Sequence, residues 1–162
     1  MLLLAASTVP AMAADAPASP HTVTGNLTFV SDYQYRGISQ TDEDPAVQGG
    51  FDYAHASGLY AGIWGSNVEF GAANLEVDVY GGYSGTSGDL GYNVGVLQYL
   101  YPDYDDANTT EVYGGITYKG FGLKASYSLS DYFDVDDSDG TVYWDASYTY
   151  TFANNMALGL HY

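Results

Sequence analysis

The stretch Gly25-Asn26-Leu27-Thr28-Phe29-Val30-Ser31-Asp32-Tyr33-Gln34-Tyr35-Arg36 reads as two interleaved lists. Leu27, Phe29, Ser31, Tyr33 and Tyr35 form one; Asn26, Thr28, Val30, Asp32, Gln34 and Arg36 form the other. Successive side chains of a strand point to opposite faces, so the alternation predicts a strand with one apolar, aromatic face and one polar, charged face. Its length is about twice the usual ~5–6 residues and suits the ~9–11 tilted residues that cross a bilayer within a barrel.

Working outward, the same pattern recurs. Val47, Gly49, Phe51 and Tyr53 oppose Gln48, Gly50 and Asp52; Leu75, Val77, Val79, Gly81 and Tyr83 oppose Glu76, Asp78, Tyr80 and Gly82. Tyr92, Val94 and Val96 share a side, and Val112, Ile116 and Tyr118 oppose Glu111, Tyr113 and Thr117. Phe121, Leu123, Ala125 and Tyr127 oppose Gly122, Lys124 and Ser126, while Val142, Trp144, Ala146, Tyr148 and Tyr150 oppose Tyr143, Asp145 and Ser147. Between Leu59 and Phe70 the phase stays open: either Leu59, Ala61 and Ile63 or Tyr60, Trp64, Val68 and Phe70 belong with the apolar side. Met156, Leu158, Leu160 and Tyr162 begin a further strand. No amphipathic helical pattern interrupts the series, which makes it an antiparallel meander.

The connections alternate in kind. Those near Ser57, Ser87, Gly120 and Asn154 are short or rich in Gly and Ser; those around Asp42, Asp105 and Asp137 are longer and acidic, and the one at Ala72 is short. Tight turns at one end and longer loops at the other mark bacterial outer-membrane barrels. The expected fold is therefore all-β, an antiparallel meander forming an outer-membrane β-barrel over residues 25–162, with about nine strands present. Nine is odd, whereas single-chain bacterial barrels are normally even, so continuation past Tyr162 is expected.

The ends and the charge narrow the setting. Met1-Leu2-Leu3-Leu4 through Ala11-Met12-Ala13 is a short apolar run with a small-x-small end, read as a signal peptide over 1–13 that lacks its basic start. Residues 14–24 then read as a periplasmic segment. Only 3 Lys plus Arg stand against 20 Asp plus Glu, a formal charge of −17, which excludes phosphate-backbone binding and thus nucleic acid. Cysteine is absent, which removes disulfides and thiolate metal sites.

Further motifs carry a resemblance. Ser31-Asp32-Tyr33, Tyr35-Arg36-Gly37, Ser39-Gln40 and Pro45-Ala46-Val47-Gln48-Gly49 open the series. Gly58-x-Tyr60-x-Gly62-x-Trp64-x-Ser66-Asn67-Val68, Glu76-x-Asp78-x-Tyr80-x-Gly82-Tyr83, Tyr99-Leu100-Tyr101-Pro102, Glu111-Val112-Tyr113 and Ser130-Asp131-Tyr132-Phe133 continue it. Together they resemble the proteobacterial TorF-type porin family, catalogued as Gcw_chp, over nearly all of the chain after the signal region. The resemblance implies an outer-membrane β-barrel with channel function, and it brings no catalytic residues.

On the polar phase, Asp32, Gln34, Arg36, Asp52, Glu76, Asp78, Glu111, Lys124 and Asp145 are the candidates for a lumen or constriction, where rings of carboxylates would favour cations. A hydrogen-bonded filling of a narrow barrel is the competing reading, with Arg36 and Lys124 pairing to the acids. Tyr33, Tyr35, Tyr53, Tyr83, Tyr118, Trp144 and Tyr150 are candidates for an aromatic girdle, their rings at the headgroup level. Asp134, Asp136, Asp137 and Asp139 are weak calcium candidates: counting from Asp134, Gly140 falls at position 7 rather than 6, so the loop is out of register for an EF-hand.

His21, His55 and His161 sit in no nucleophile or metalloprotease motif, so neither catalysis nor a cofactor is expected. The expected setting is the outer membrane of a Gram-negative bacterium, among its lipid and lipopolysaccharide. There the barrel would pass small, cationic or neutral solutes, or, with a filled lumen, act as a structural or surface-interaction barrel with acidic external loops.

Overall fold

A computed structural model describes residues 19–154 and 156–162. The expected signal peptide at 1–13, and residues 14–18 of the expected periplasmic segment, lie outside the described residues. The chain forms β1 (His21–Val30), β2 (Gln34–Tyr35), β3 (Ile38–Ser39), β4 (Ala46–His55), β5 (Leu59–Phe70), β6 (Ala73–Ser87), β7 (Leu90–Leu100), β8 (Thr109–Tyr118), β9 (Phe121–Ser128), β10 (Val142–Thr151) and β11 (Ala157–His161). The only helical element among the described residues is one 3-10 turn, Asp105–Ala107.

Nine strands make one antiparallel sheet in the order β1-β4-β5-β6-β7-β8-β9-β10-β11, each paired with its neighbour in sequence; β2 and β3 form a separate two-stranded ribbon. The meander expected from the alternation is thus present. The sheet is open: β1 and β11 are its edges and no barrel closure joins them among the described residues.

Side chains divide by face as the alternation requires. Leu27, Phe29, Phe51, Val94, Leu123 and Trp144 project from one side, with Phe29 73% and Trp144 61% exposed. The open phase of β5 is resolved: Leu59, Ala61 and Ile63 are exposed on this apolar face, whereas Tyr60 and Trp64 are half-buried and Ser66 and Val68 buried on the other. Glu76, Glu111, Ser126 and Ser128 are buried on that polar face. Among the described residues no apolar core lies beneath the apolar side chains. The buried apolar cluster, Val68, Ala73, Tyr99, Tyr101 and Ala107, sits instead at one end of the sheet.

That end collects the three longer, acidic connections at 31–45, 101–108 and 129–141 together with the short one at 71–72; the opposite end carries the turns at 56–58, 88–89 and 119–120 and the connection after β10. They are called below the loop end and the turn end.

One expected element is wrong. The stretch from Gly25 to Arg36 is not a single strand: the first strand begins at His21, inside the expected 14–24 segment, and stops at Val30. The physical reason lies just beyond. Asp32 accepts hydrogen bonds from Ser39 Oγ at 2.6 Å and Gln34 Nε2 at 2.8 Å, which fold the chain back on itself. Arg36 and Gly37, at φ 48° and 82°, form the two-residue turn between β2 and β3. Paired positive φ values suit the right-handed twist of a tight hairpin, and glycine at the second position adopts them without a Cβ clash. The period of two runs on through residue 35, but on a strand that has left the sheet.

Candidate functional site

The polar face is concave, because side chains meet across strands that are not neighbours. Tyr60 on β5 donates to Asn93 Oδ1 on β7 at 2.8 Å and shares a 2.6 Å hydroxyl–hydroxyl bond with Tyr113 on β8. Tyr80 on β6 donates to Asp52 on β4 at 2.5 Å. Three of these rings lie over glycines on the adjoining strand. A Cβ on Gly62 would come within 2.4 Å of the Tyr80 ring; on Gly82 or Gly95 it would meet the Tyr60 or Tyr113 hydroxyl at 2.4 and 2.5 Å. The missing side chains let the rings lie across the wall.

The result is a trough of about 800 Å³, lined by Asp52, Tyr60, Tyr80, Asn93, Tyr113 and Thr117 among others. Lys124 also lines it, 4.5 Å over the Tyr113 ring and opposite Asp145 in the β9–β10 register. Asp145 is further bonded to a ring nitrogen of His161 on β11.

At the loop end the trough is filled. The β2–β3 hairpin lies over the polar face, and its three largest side chains are anchored there. Tyr33 donates to Glu76 Oε1 at 2.8 Å while Tyr101 donates to Oε2 at 2.6 Å, so both oxygens of a carboxylate that is 2% exposed are satisfied. Tyr35 and Tyr99 share a hydroxyl bond of 2.8 Å. Arg36 Nη2 donates to Glu111 Oε2 at 2.8 Å and Nη1 to the Tyr132 hydroxyl at 2.6 Å. The guanidinium carbon also lies 4.1 Å from the ring centroid of Tyr143 and 4.7 Å from that of Tyr35. Phe133, from the 129–141 loop, packs edge-on against Tyr35, Phe70, Tyr99 and Tyr101.

Protonation states follow from these surroundings. Burial pushes the Tyr33, Tyr35 and Tyr101 hydroxyls well above their ordinary range, so all three stay neutral donors. Burial, the largest single influence, would ease the proton off Arg36; the hydrogen bond to Glu111 and the charge interactions with Tyr35, Glu111 and Tyr132 together outweigh it and hold the guanidinium charged. The Ser39 hydroxyl bonded to Asp32 holds that carboxyl below its usual range, against a smaller effect of burial.

The residues expected in a lumen divide into three groups. Asp52, Lys124 and Asp145 line the trough. Glu76, Glu111 and Arg36 are brought together beneath and within the hairpin, and Asp78 lies beside Glu76 on the same face with one carboxylate oxygen buried and unbonded. Asp32 and Gln34 are a correction: they bond to each other and brace the hairpin outside the trough, because the strand that would have carried them inward ends at Val30.

Tyr33 and Tyr35 are a second correction for the same reason. They belong to the hairpin and pack on the polar face, against Trp64 and Tyr99, not on the apolar face with a girdle. Tyr53, Tyr83, Tyr118, Trp144 and Tyr150 are exposed on the apolar face.

Asp134, Asp136, Asp137 and Asp139 do not converge: among the described residues no three His, Asp or Glu side chains are grouped to hold a metal ion. Asp134 accepts from Tyr104 instead. Asp131 accepts from the backbone N–H of Ser138 and Asp139 and so shapes the loop.

Tyr60, Tyr80, Tyr99, Tyr101, Tyr113 and Tyr143 were not among the site candidates read from the sequence, although Tyr80, Tyr113 and Tyr143 already fell in the polar phase. Their signal was the repeated Tyr-x-Gly spacing at Tyr60-x-Gly62, Tyr80-x-Gly82 and Tyr113-x-Gly115, set in the polar phase.

A family model described as "Bacterial protein of unknown function (Gcw_chp)" matches residues 14–161. No curated protein and no solved structure matches the chain.

Proposed function

The chain belongs to the Gcw_chp family of bacterial proteins of unknown function, and from that premise we propose that it is an outer-membrane β-barrel protein. In this reading its acidic, tyrosine-lined concavity passes small cationic or neutral solutes. One observation carries the proposal: the large apolar side chains, from Leu27 to Leu160, stand uncovered on one face of the sheet, while the carboxylates gather on the other. Covering a side chain of the Val, Leu or Phe class is worth about 1.5–3 kcal/mol, so a whole face of them in water would be strongly disfavoured. Lipid covers them without any partner protein. The sheet's backbone groups are bonded between strands, as a hydrocarbon setting requires, except along the β1 and β11 edges, which closure of the barrel would pair.

The chain's two tryptophans provide the test, since Trp144 lies on the apolar face and Trp64 stacks edge-on against Tyr33 on the polar face. With the protein reconstituted in lipids brominated on their acyl chains, Trp144 fluorescence in a Trp64→Phe variant should be strongly quenched. Trp64 fluorescence in a Trp144→Phe variant should be spared. Equal quenching of both, or quenching of Trp64 alone, rejects the membrane assignment. Cation preference is read separately from the reversal potential in a salt gradient, and anion preference would reject the solute class.

A second reading, a barrel with a filled lumen that acts structurally or through its acidic loops, is favoured by a specific feature: the Arg36 hairpin occupies the loop end of the concavity.

A further inference from the structure

We propose that the β2–β3 hairpin is a movable plug that shuts the loop end of the trough, and that the Arg36–Glu111 contact is its latch. The inference rests on the membrane-barrel reading and reconciles its two versions: the same protein is filled when latched and conducting when released.

Three observations carry it. First, the trough is blind at one end only. It runs to Gly91, Thr117 and Gly122 beside the turns at 88–89 and 119–120. At the other end Tyr33, Tyr35, Phe133 and Tyr104 close over Tyr99 and Tyr101.

Second, the hairpin is not part of the wall. β2 and β3 bond only to each other, as a sheet of their own. The backbone bond tying this segment to the barrel strands is at its base, from Glu69 N–H to the Gln40 carbonyl at 2.7 Å. Its tip is held by side chains alone, those of Tyr33, Tyr35 and Arg36. Withdrawing the tip therefore breaks side-chain contacts and leaves every rung of the nine-stranded ladder intact, the arrangement expected of a local opening unit.

Third, the hold is concentrated. Arg36, at the turn itself, engages Glu111 on β8, Tyr132 on the 129–141 loop and the Tyr143 ring on β10 at once. A single side chain thus links the plug to both far strands. Its Glu111 partner is 2% exposed, so release leaves a buried carboxylate without its cation and favours re-latching. Asp78 and Lys124 are the other charged groups near this carboxylate on the concave face.

The test compares the parent protein, Arg36→Ala, Arg36→Lys and a variant in which residues 34–39 are replaced by a Gly-Ser linker, all as full chains in planar lipid bilayers. The parent should be closed most of the time. Arg36→Ala and the linker variant should raise open time by roughly a hundredfold or more, as loss of a buried charge's partner implies, and Arg36→Lys should fall between. A second readout follows the seal itself: a Ser126→Cys thiol, 3% exposed in the parent background and unique in a cysteine-free chain, should react faster with a water-soluble maleimide once Arg36 is alanine.

Equal conductance and equal labelling across the series, in protein whose Trp144 is lipid-quenched, overturn the plug while leaving the barrel standing. Should Arg36→Ala not fold, the linker variant decides in the same way. Absence of lipid quenching refutes the membrane reading and the plug with it.

Discussion

Glu76 shows what a buried carboxylate demands of its neighbours. Its two oxygens take one tyrosine hydroxyl each, from Tyr33 and Tyr101, and the residue is 2% exposed. Glu76→Gln keeps the shape but offers one acceptor oxygen to two donors and turns an NH2 toward the other, leaving one hydroxyl proton without its acceptor at a cost of about 1–3 kcal/mol. Urea unfolding of detergent-solubilised protein should show that loss, and an unchanged midpoint would mean that Tyr33 and Tyr101 find other acceptors. Gly62 is constrained differently. A Cβ there would sit 2.4 Å from the Tyr80 ring, whereas one on Gly159 would meet nothing within 4 Å. Gly62→Ala should therefore lower the melting midpoint, by the equivalent of about 1–3 kcal/mol of overpacking, while Gly159→Ala leaves it nearly unchanged.

At the scale of elements, the hairpin is held by two kinds of bond with different pH behaviour. Arg36 stays charged throughout the working range, so its latch is indifferent to the proton on its own side. Asp32, which gathers Ser39, Gln34 and Thr41, has its pKa lowered in the folded chain. A lowered folded pKa means the carboxylate's contribution is complete above its unfolded value of about 3.9 and is lost as pH falls through the folded value. Acidification below about pH 4 should thus loosen residues 31–41 before the strands. Proteolysis by pepsin, which works in that range, should cut there first, and Asp32→Asn should show the same loosened loop at neutral pH. A loop equally protected at both pH values in both proteins would contradict this role.

At the same loop end, Asp103 accepts from the Asn74 amide at 2.8 Å, tying the 101–108 connection to the start of β6. That hydrogen bond likewise holds the Asp103 carboxyl low, so this second tie weakens in the same acid window.

For the whole molecule the deciding feature is the uncovered apolar face. Phe29 is 73%, Phe51 66% and Trp144 61% exposed, side chains that ordinary water-soluble proteins cover. Without amphiphile the protein should aggregate, and in a mild detergent it should sediment as a single species carrying bound micelle. Sedimentation of a monodisperse species in plain buffer would show that something other than lipid covers this face. The net charge of −17 falls mainly on the loops and the concave face, so added salt should not substitute for detergent.

Period-two alternation determined a great deal by itself, because it is a local property: which side chains share a face, where the turns fall, and that successive strands pair as a meander. The apolar group Leu75, Val77 and Val79 and the polar group Glu76 and Asp78 needed no partner to be told apart. Alternation also misled where it ran past a strand end, since Tyr33 and Tyr35 keep the period while belonging to a hairpin that has left the sheet.

Only the tertiary structure decided that the hairpin folds onto the concave face, because its anchors are remote. Arg36 and Glu111 are 75 residues apart, and Tyr33 and Glu76 are 43 apart. No window along the chain contains both members of either pair. Curvature brings them together, and it depends on glycines such as Gly62 lying opposite tyrosines such as Tyr80 on the next strand. That register exists once the strands have paired, and not before.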